Sequence, residues 1–326
     1  MAPDAFLPQQ PIKELIEGFL AESQVMVFVG FGGEGKTLFM INAGVCVAGN
    51  HLFMGTRKTT QGNVLFVDEE SGLSQFNLRL QKVINGIDGD PNIPFFYTSL
   101  SLFNLTTRND LNELEKIIID LSIKFVIIDA FMDVTPGADR NNSKDVSPVM
   151  QGLRDIAERH KCAIVVIHHN NKRGGYTGNT AIKDAADSLI TIKKQLNVLT
   201  IKSEKFRYGE PFEFSAKLIF ELDKIILSNA QKITFGAAQE FVIKFLAENG
   251  NSSMSDIKVH ANGCKPDAAR LAVMDLCKSL YVKRTDNGGP GTTGFYDLAD
   301  EGNKVAAERN FFNDPWKIAD YAPCSL

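Results

Sequence analysis

Eight residues near the start of the chain, Gly30-Phe31-Gly32-Gly33-Glu34-Gly35-Lys36-Thr37, join a glycine-rich turn to a lysine and a threonine. The spacing is G-x-x-x-x-G-K-T. Glycines let backbone N–H groups converge on phosphate oxygens, and the positive end of a following helix adds to the attraction. Lys36 has the reach for β- and γ-phosphates, and the Thr37 hydroxyl suits a magnesium ion. A chance glycine-rich turn is the plain alternative. However, the apolar run at residues 25–29 reads as a strand and residues 36–48 read as a helix, which is the context this pattern requires. The expected ligand is a nucleoside triphosphate, ATP with Mg²⁺, contacted by Gly30, Gly32, Gly33, Glu34, Gly35, Lys36, Thr37 and Leu38.

Cleaving a phosphoanhydride also needs a carboxylate near the metal and another to orient water. Asp129 closes the apolar run Phe125-Val126-Ile127-Ile128, at a strand end where ligands gather in parallel α/β sheets. It joins Thr37 as the expected metal-side residue. The run Val64-Leu65-Phe66-Val67 ends in Asp68-Glu69-Glu70. One of these glutamates suits polarisation of a water, although three acids in a row also fit a solvated loop. A third run, residues 163–167, ends in His168-His169-Asn170. Two histidines suit a metal such as zinc, but further ligands at metal spacing are missing nearby. A polar sensor of the γ-phosphate fits the strand end better, with His169 as the candidate.

The elements that must position these residues are readable from periodicity. Strand-length apolar runs alternate with helical patterns, such as Leu73, Phe76, Leu80 and Val83, residues 111–121 and residues 146–160. This alternation predicts an α/β fold with a mainly parallel sheet covered on both faces. An amphipathic segment at residues 12–20 leads into the first strand. After Asp187 four short strands are expected, at residues 189–192, 196–201, 216–220 and 225–227, antiparallel and extending the sheet. Helices at 237–248, 253–260 and 265–280, then strands at 281–284 and 294–298 around a glycine-rich loop, give the element order of a winged helix. The expected division is an ATPase domain at 1–230, a small winged-helix domain at 236–300 and a tail at 301–326.

Composition is that of a globular protein, with 44% hydrophobic and 23% charged residues. The net charge of −4 excludes a globally basic nucleic-acid binder, so any such contact must be local. Five cysteines without C-x-x-C spacing read as reduced thiols, Cys46 and Cys162 being buried. Apolar runs are too short for a membrane span, and the start lacks a secretory pattern, so a cytoplasmic location without membrane contact is expected.

These pieces in this order resemble the RecA-like P-loop ATPases, and within them the hexameric replicative helicases of the RepA type. The resemblance covers residues 12–227. It rests on the phosphate loop, the acidic strand end, Val126-Ile127-Ile128-Asp129-Ala130, and the stretch Val165-Val166-Ile167-His168-His169-Asn170-Asn171-Lys172. Residues 178–187 and 204–209 extend it. The resemblance implies that Glu70, rather than Glu69, activates water. It also implies that Lys205 and Arg207 form a K-x-R pair reaching a neighbouring subunit's γ-phosphate, although a surface pair at a strand end remains the plain alternative.

The resemblance further implies a homo-oligomer, a hexameric ring with single-stranded DNA in its channel. The channel loops would be residues 133–145 and 171–179, the second contributing Lys172, Arg173 and Tyr176. Residues 171–207 hold eight Lys/Arg against three Asp/Glu, which suits a single-stranded backbone. The winged-helix region, with Lys265, Arg270, Lys278, Lys283 and Arg284, is near neutral at seven Lys/Arg against eight Asp/Glu. DNA contact and protein docking are equally open for it, and Phe311, Phe312, Trp316 and Tyr321 in the tail read as packing or docking residues. The function implied is an ATP-dependent DNA helicase or translocase acting in replication. The alternatives are a DNA-binding ATPase that does not unwind (a loader, recombination mediator or regulator) and a nucleotide-gated interaction module.

Overall fold

The computed structural model describes residues 12–138, 142–169, 180–195, 198–230, 235–261, 264–286, 294–309 and 311. The chain forms two compact units, residues 1–231 and 232–326.

The first unit opens on a short hairpin, β1 (Glu14–Ile16) and β2 (Leu20–Ala21), where the sequence suggested only an amphipathic segment. Then follow β3 (Val25–Gly30), α1 (Lys36–Gly49), β4 (Asn63–Asp68), α2 (Leu73–Gly86), β5 (Phe95–Ser99), α3 (Arg108–Asp120), β6 (Ile123–Asp129), α4 (Ser143–His160) and β7 (Ala163–His169). A short helix α5 (Thr180–Ala185) precedes β8 (Ser188–Gln195), β9 (Val198–Phe206), β10 (Glu213–Phe220) and β11 (Ile225–Ala230). One nine-stranded sheet results, ordered β11-β10-β9-β8-β3-β7-β6-β4-β5. Strands β8 to β5 in that order run parallel, while β8, β9, β10 and β11 form an antiparallel meander at the other side.

The near-continuous apolar strands follow from burial on both faces. On β3, Met26 and Phe28 join one core with Phe39, Val45, Phe66 and Phe76, whereas Val25, Val27 and Val29 join the other with Leu114, Ile118, Met150 and Leu153. Thus α1 and α2 cover one face, and α3 and α4 the other. Helix α1 is apolar nearly all round because it is sunk into the fold. A Cβ on Gly44 would sit 2.7 Å from the Phe95 ring, so that glycine sets how closely α1 lies on the sheet. Phe19, Phe39 and Phe53 add a stacked and edge-to-face cluster beneath it. Cys46 and Cys162 are buried free thiols, the pKa of each pushed up to about 12 by burial.

Strand β5 was not legible in the sequence. Its residues are only half-buried or exposed, because it is the sheet's edge strand and lacks the apolar run that marks the others.

The second unit contains α6 (Ala237–Asn249), β12 (Ser252–Ser253), α7 (Met254–Val259), α8 (Pro266–Lys278), β13 (Val282–Arg284), β14 (Phe295–Leu298) and α9 (Asp300–Glu308). Its strands pair antiparallel in the order β12-β14-β13. Val242, Ile243, Leu246, Ile257, Val273, Leu276 and Leu298 are buried in this unit. Ser253 caps α7 by accepting the Asp256 N–H, and the Asp256 carboxylate accepts the Ser253 N–H and hydroxyl in return. Among the described residues no helix is long and apolar enough to cross a membrane.

Candidate active site

Strand β3 lies between β8 and β7, with α1 carrying the chain past β7 and β6 to β4. The crevice outside the carboxyl ends of parallel strands opens at such a reversal of strand order. The glycine-rich loop leaves β3 at this point. Gly33 (φ +79°) and Gly35 (φ +82°) both take left-handed backbone, and a Cβ at Gly32 or Gly33 would meet open space. Gly35 caps α1 with no side chain, so its first-turn N–H groups are left to an anion. Leu38 packs its side chain on the core and offers only its backbone to the loop.

Lys36 is buried and donates from Nζ to the carbonyls of Gly30 (3.0 Å) and Phe31 (2.7 Å). Burial lowers its pKa, and the charges of Asp129, Glu34 and Glu70 oppose that shift. The Thr37 hydroxyl donates to Asp129 Oδ2 at 2.6 Å. Asp129 is fully buried, and its Oδ1 has no hydrogen-bond partner among the described residues. Burial lifts its carboxyl to about 7; the Thr37 hydrogen bond pulls the other way, and the charge of Glu70 adds to the rise. A buried carboxylate oxygen without a donor, beside a threonine hydroxyl, suits a divalent cation. These residues therefore fit Mg²⁺.

The three acids after β4 separate by environment. Asp68 is buried and shapes the turn, accepting the Ser71 N–H at 2.9 Å and the Ser99 hydroxyl at 3.1 Å. Glu69 is buried too, its carboxylate accepting the N–H groups of Ser101 and Leu102, each at 3.0 Å, and of Phe103 at 3.5 Å. Glu70 alone turns towards the crevice. Its Oε2 lies 3.0 Å from His169 Nε2, and ligand atoms of Glu70, Asp129 and His169 all lie within 4.8 Å of one another. The His169 hydrogen bond lowers the Glu70 pKa against the effect of burial, and Lys36 and Arg79 add to the lowering. His168 instead points into the core against the Phe131 ring.

Two nearby residues were missed in the sequence. Arg79 on α2 donates to the Ser71 hydroxyl at 2.7 Å and places positive charge near Glu70. Asp133 has a raised pKa, first from burial and then from the charge of Glu70. Neither belongs to a recognisable pattern, since their nearness depends on how α2 and the chain after β6 fold back.

Lys205 and Arg207 lie at the other end of the sheet. Phe206 pairs with Ser188, Ser188 stands level with Met26, and the Asp187 carboxylate accepts the Val25 N–H at 3.0 Å. Five residues of strand, about 17 Å, separate that level from Gly30. Arg207 donates to Asp187 Oδ1 at 3.0 Å, and Arg154 Nε lies 3.3 Å from the same oxygen. Lys205 donates to the carbonyls of Asp184 (3.2 Å) and Ala186 (2.5 Å), and Arg154 also bonds the Ala185 carbonyl. Burial lowers the Lys205 pKa, with the charge of Arg207 next. Lys172, Arg173 and Tyr176 lie outside the described residues, as do Phe312, Trp316 and Tyr321. In the second unit Lys265, Arg270, Lys278 and Lys283 are exposed, and Arg284 pairs with Asp286.

A family model described as an AAA domain matches residues 2–175, more than half of the chain. The chain belongs to this AAA-domain family. Among solved structures, the ATPase domain of a helicase superposes with a TM-score of 0.51 at 11% identity, over 71% of this chain and 96% of that one. The RadB recombinase gives a TM-score of 0.49 at 19% identity, over 64% of this chain and 92% of that one. No curated protein sequence matches. The AAA-domain match and the fold shared with the helicase ATPase domain make the first unit a RecA-like P-loop ATPase.

Proposed function

We propose that this AAA-domain protein is a ring-forming, DNA-stimulated ATPase that translocates on or unwinds DNA, with each active site completed by a neighbouring copy. The observation that carries this reading is the separation of two cationic sets. Lys36 stands at the carboxyl ends of the strands, whereas Lys205 and Arg207 lie at the opposite ends, so they can serve only another copy's phosphates.

Within one copy the loop N–H groups and Lys36 would bind the β- and γ-phosphates, and Thr37 and Asp129 would hold Mg²⁺. Bound there, Mg²⁺ supplies charge neutralisation on the phosphate oxygens. Asp129 must first give up its proton, which the pKa near 7 allows around neutrality. Glu70, kept ionised by His169, accepts a proton from the attacking water. His169 is then placed to exchange its bond with Glu70 for one with the γ-phosphate. Arg207 from the neighbour stabilises charge developing in the transition state. A hexamer is the expected ring, with Lys172, Arg173 and Tyr176 facing single-stranded DNA in its channel.

A DNA-binding ATPase without unwinding, such as a loader or regulator, is the second reading. It is favoured by the exposed Leu271 and Met274 on α8, beside Arg270, which suit protein docking by a winged-helix-like second unit as well as DNA contact. The deciding experiment measures assembly and ATPase rate with and without single-stranded DNA, alongside strand separation of a forked duplex. Rings stimulated by DNA that open the fork support the first reading. Stimulation without strand separation favours the second, and a monomer indifferent to DNA sinks both.

A further inference from the structure

Glu34 stands inside the phosphate loop, where a negative charge opposes a bound triphosphate. Its carboxylate is nonetheless engaged. Oε2 accepts the Phe31 N–H at 2.6 Å, closing the mouth of the loop. The Lys194 backbone N–H, near the end of β8, stabilises the same carboxylate. Burial raises the Glu34 pKa, while those two N–H groups and the charges of Lys36 and Lys193 hold it down. Gly30 makes room for the contact. A Cβ there would lie 2.5 Å from Glu34 Oε2, 2.7 Å from Ile192 Cγ2 and 2.9 Å from the Ile192 carbonyl. Strand β8 continues past its Val29–Thr191 pairing with β3, so it runs beside the loop and meets this carboxylate.

We propose that Glu34 is a positioning residue for nucleotide binding, its carboxylate bracing the mouth of the phosphate loop against the end of β8. The proposal rests on the reading of the loop as a triphosphate site. A loop with glycines at 32, 33 and 35 has many accessible shapes, and ordering it on binding weakens affinity. A brace already in place removes part of that cost. It also ties the loop to the β8–β9 arm.

The test is titration of the full chain, with Mg²⁺, against a fluorescent ATP analogue, together with steady-state ATP hydrolysis. Glu34→Ala is expected to weaken the analogue about tenfold, the size of losing one charge-assisted hydrogen bond, and to raise KM without a matching fall in kcat. Glu34→Gln still offers an amide oxygen and is expected to stay within about threefold of the wild type. If Glu34→Ala does not fold, Glu34→Asp, one methylene shorter, reads the same loss. Tighter binding by both the Ala and Gln variants would mean that the carboxylate only repels the triphosphate, and would overturn the brace. Wild-type affinity in Glu34→Ala, with affinity lost in Lys36→Ala, would remove the brace alone. Undiminished affinity in Lys36→Ala would remove the triphosphate reading and the brace with it.

Discussion

Two buried aspartates stand at opposite ends of the same sheet and are treated in opposite ways. Asp187, at the amino end of β3, takes the Val25 N–H, Arg207 and Arg154, so its burial is compensated by a backbone donor and two cations. Asp129, at the carboxyl end of β6, has the Thr37 hydroxyl on one oxygen and nothing on the other among the described residues. A buried carboxylate surrounded by donors is part of the framework. One left short of donors is expensive, and its raised pKa records that expense. The difference teaches where a cation belongs, and it predicts that substitutions at the two ends should fail in different ways.

The largest effect is expected from Lys36→Ala at the carboxyl-end site, which should abolish both nucleotide binding and turnover in titration and ATPase assays. Retained binding would break the assignment of that end as the phosphate site. Arg207→Ala, at the other end, should leave ATP binding intact while hydrolysis falls about a thousandfold, as for a finger acting between subunits. Mixing it with Glu70→Gln subunits should restore part of the rate, because some boundaries then pair an intact Glu70 with an intact Arg207. Failure to restore activity at every ratio would leave Arg207 as no more than a framework cation.

Glu70→Gln should slow turnover about a hundredfold or more with binding unchanged. Glu69→Gln should show itself mainly as a lower melting temperature, since its carboxylate holds three backbone N–H groups. A reversal of those two outcomes would overturn the division of labour between the glutamates.

A pH series sharpens the contrast between the aspartates. The folded-state pKa of Asp129, about 7, lies above the ordinary value of 3.8, so the folded protein binds its proton more tightly than the unfolded chain does. Stability without Mg²⁺ should therefore fall as pH rises from about 4 to about 7 and then level off. Thermal melts of Asp129→Asn should lack this component, and Mg²⁺ affinity of the wild type should strengthen over the upper part of the window. The smallest effect is on folding in Arg207→Ala. Its side chain is 54% exposed and Arg154 remains on Asp187, so the stability loss should stay below about 1 kcal/mol in chemical denaturation.

The sequence made the phosphate loop, the strands that are buried on both faces and the strand-end acids legible, because each leaves a local pattern. An apolar run of five or so residues followed by a polar one marks a buried strand and its carboxyl end, and that sufficed for β3, β4, β6 and β7. Edge strand β5 and the hairpin β1–β2 left no such pattern and went unread. The phosphate loop was read as a set of backbone donors, but the Glu34 carboxylate closing it onto β8 was not, since residues 34 and 194 meet only through the β3–β8 pairing.

By itself the sequence determined that a triphosphate-binding loop leaves a buried strand, because glycine spacing, lysine and threonine are local facts. It also determined that acids and histidines end the neighbouring strands, since runs and their last residues are contiguous in the chain. Only the tertiary structure decided which of Asp68, Glu69 and Glu70 faces the crevice: similar acids one residue apart point to different surroundings, two into local donors and one towards His169. Only it decided, too, that Lys205 and Arg207 stand at the far end from their own phosphate loop. That follows from strand direction, because β9 runs antiparallel to β8 and carries the pair back to the amino ends of the parallel strands.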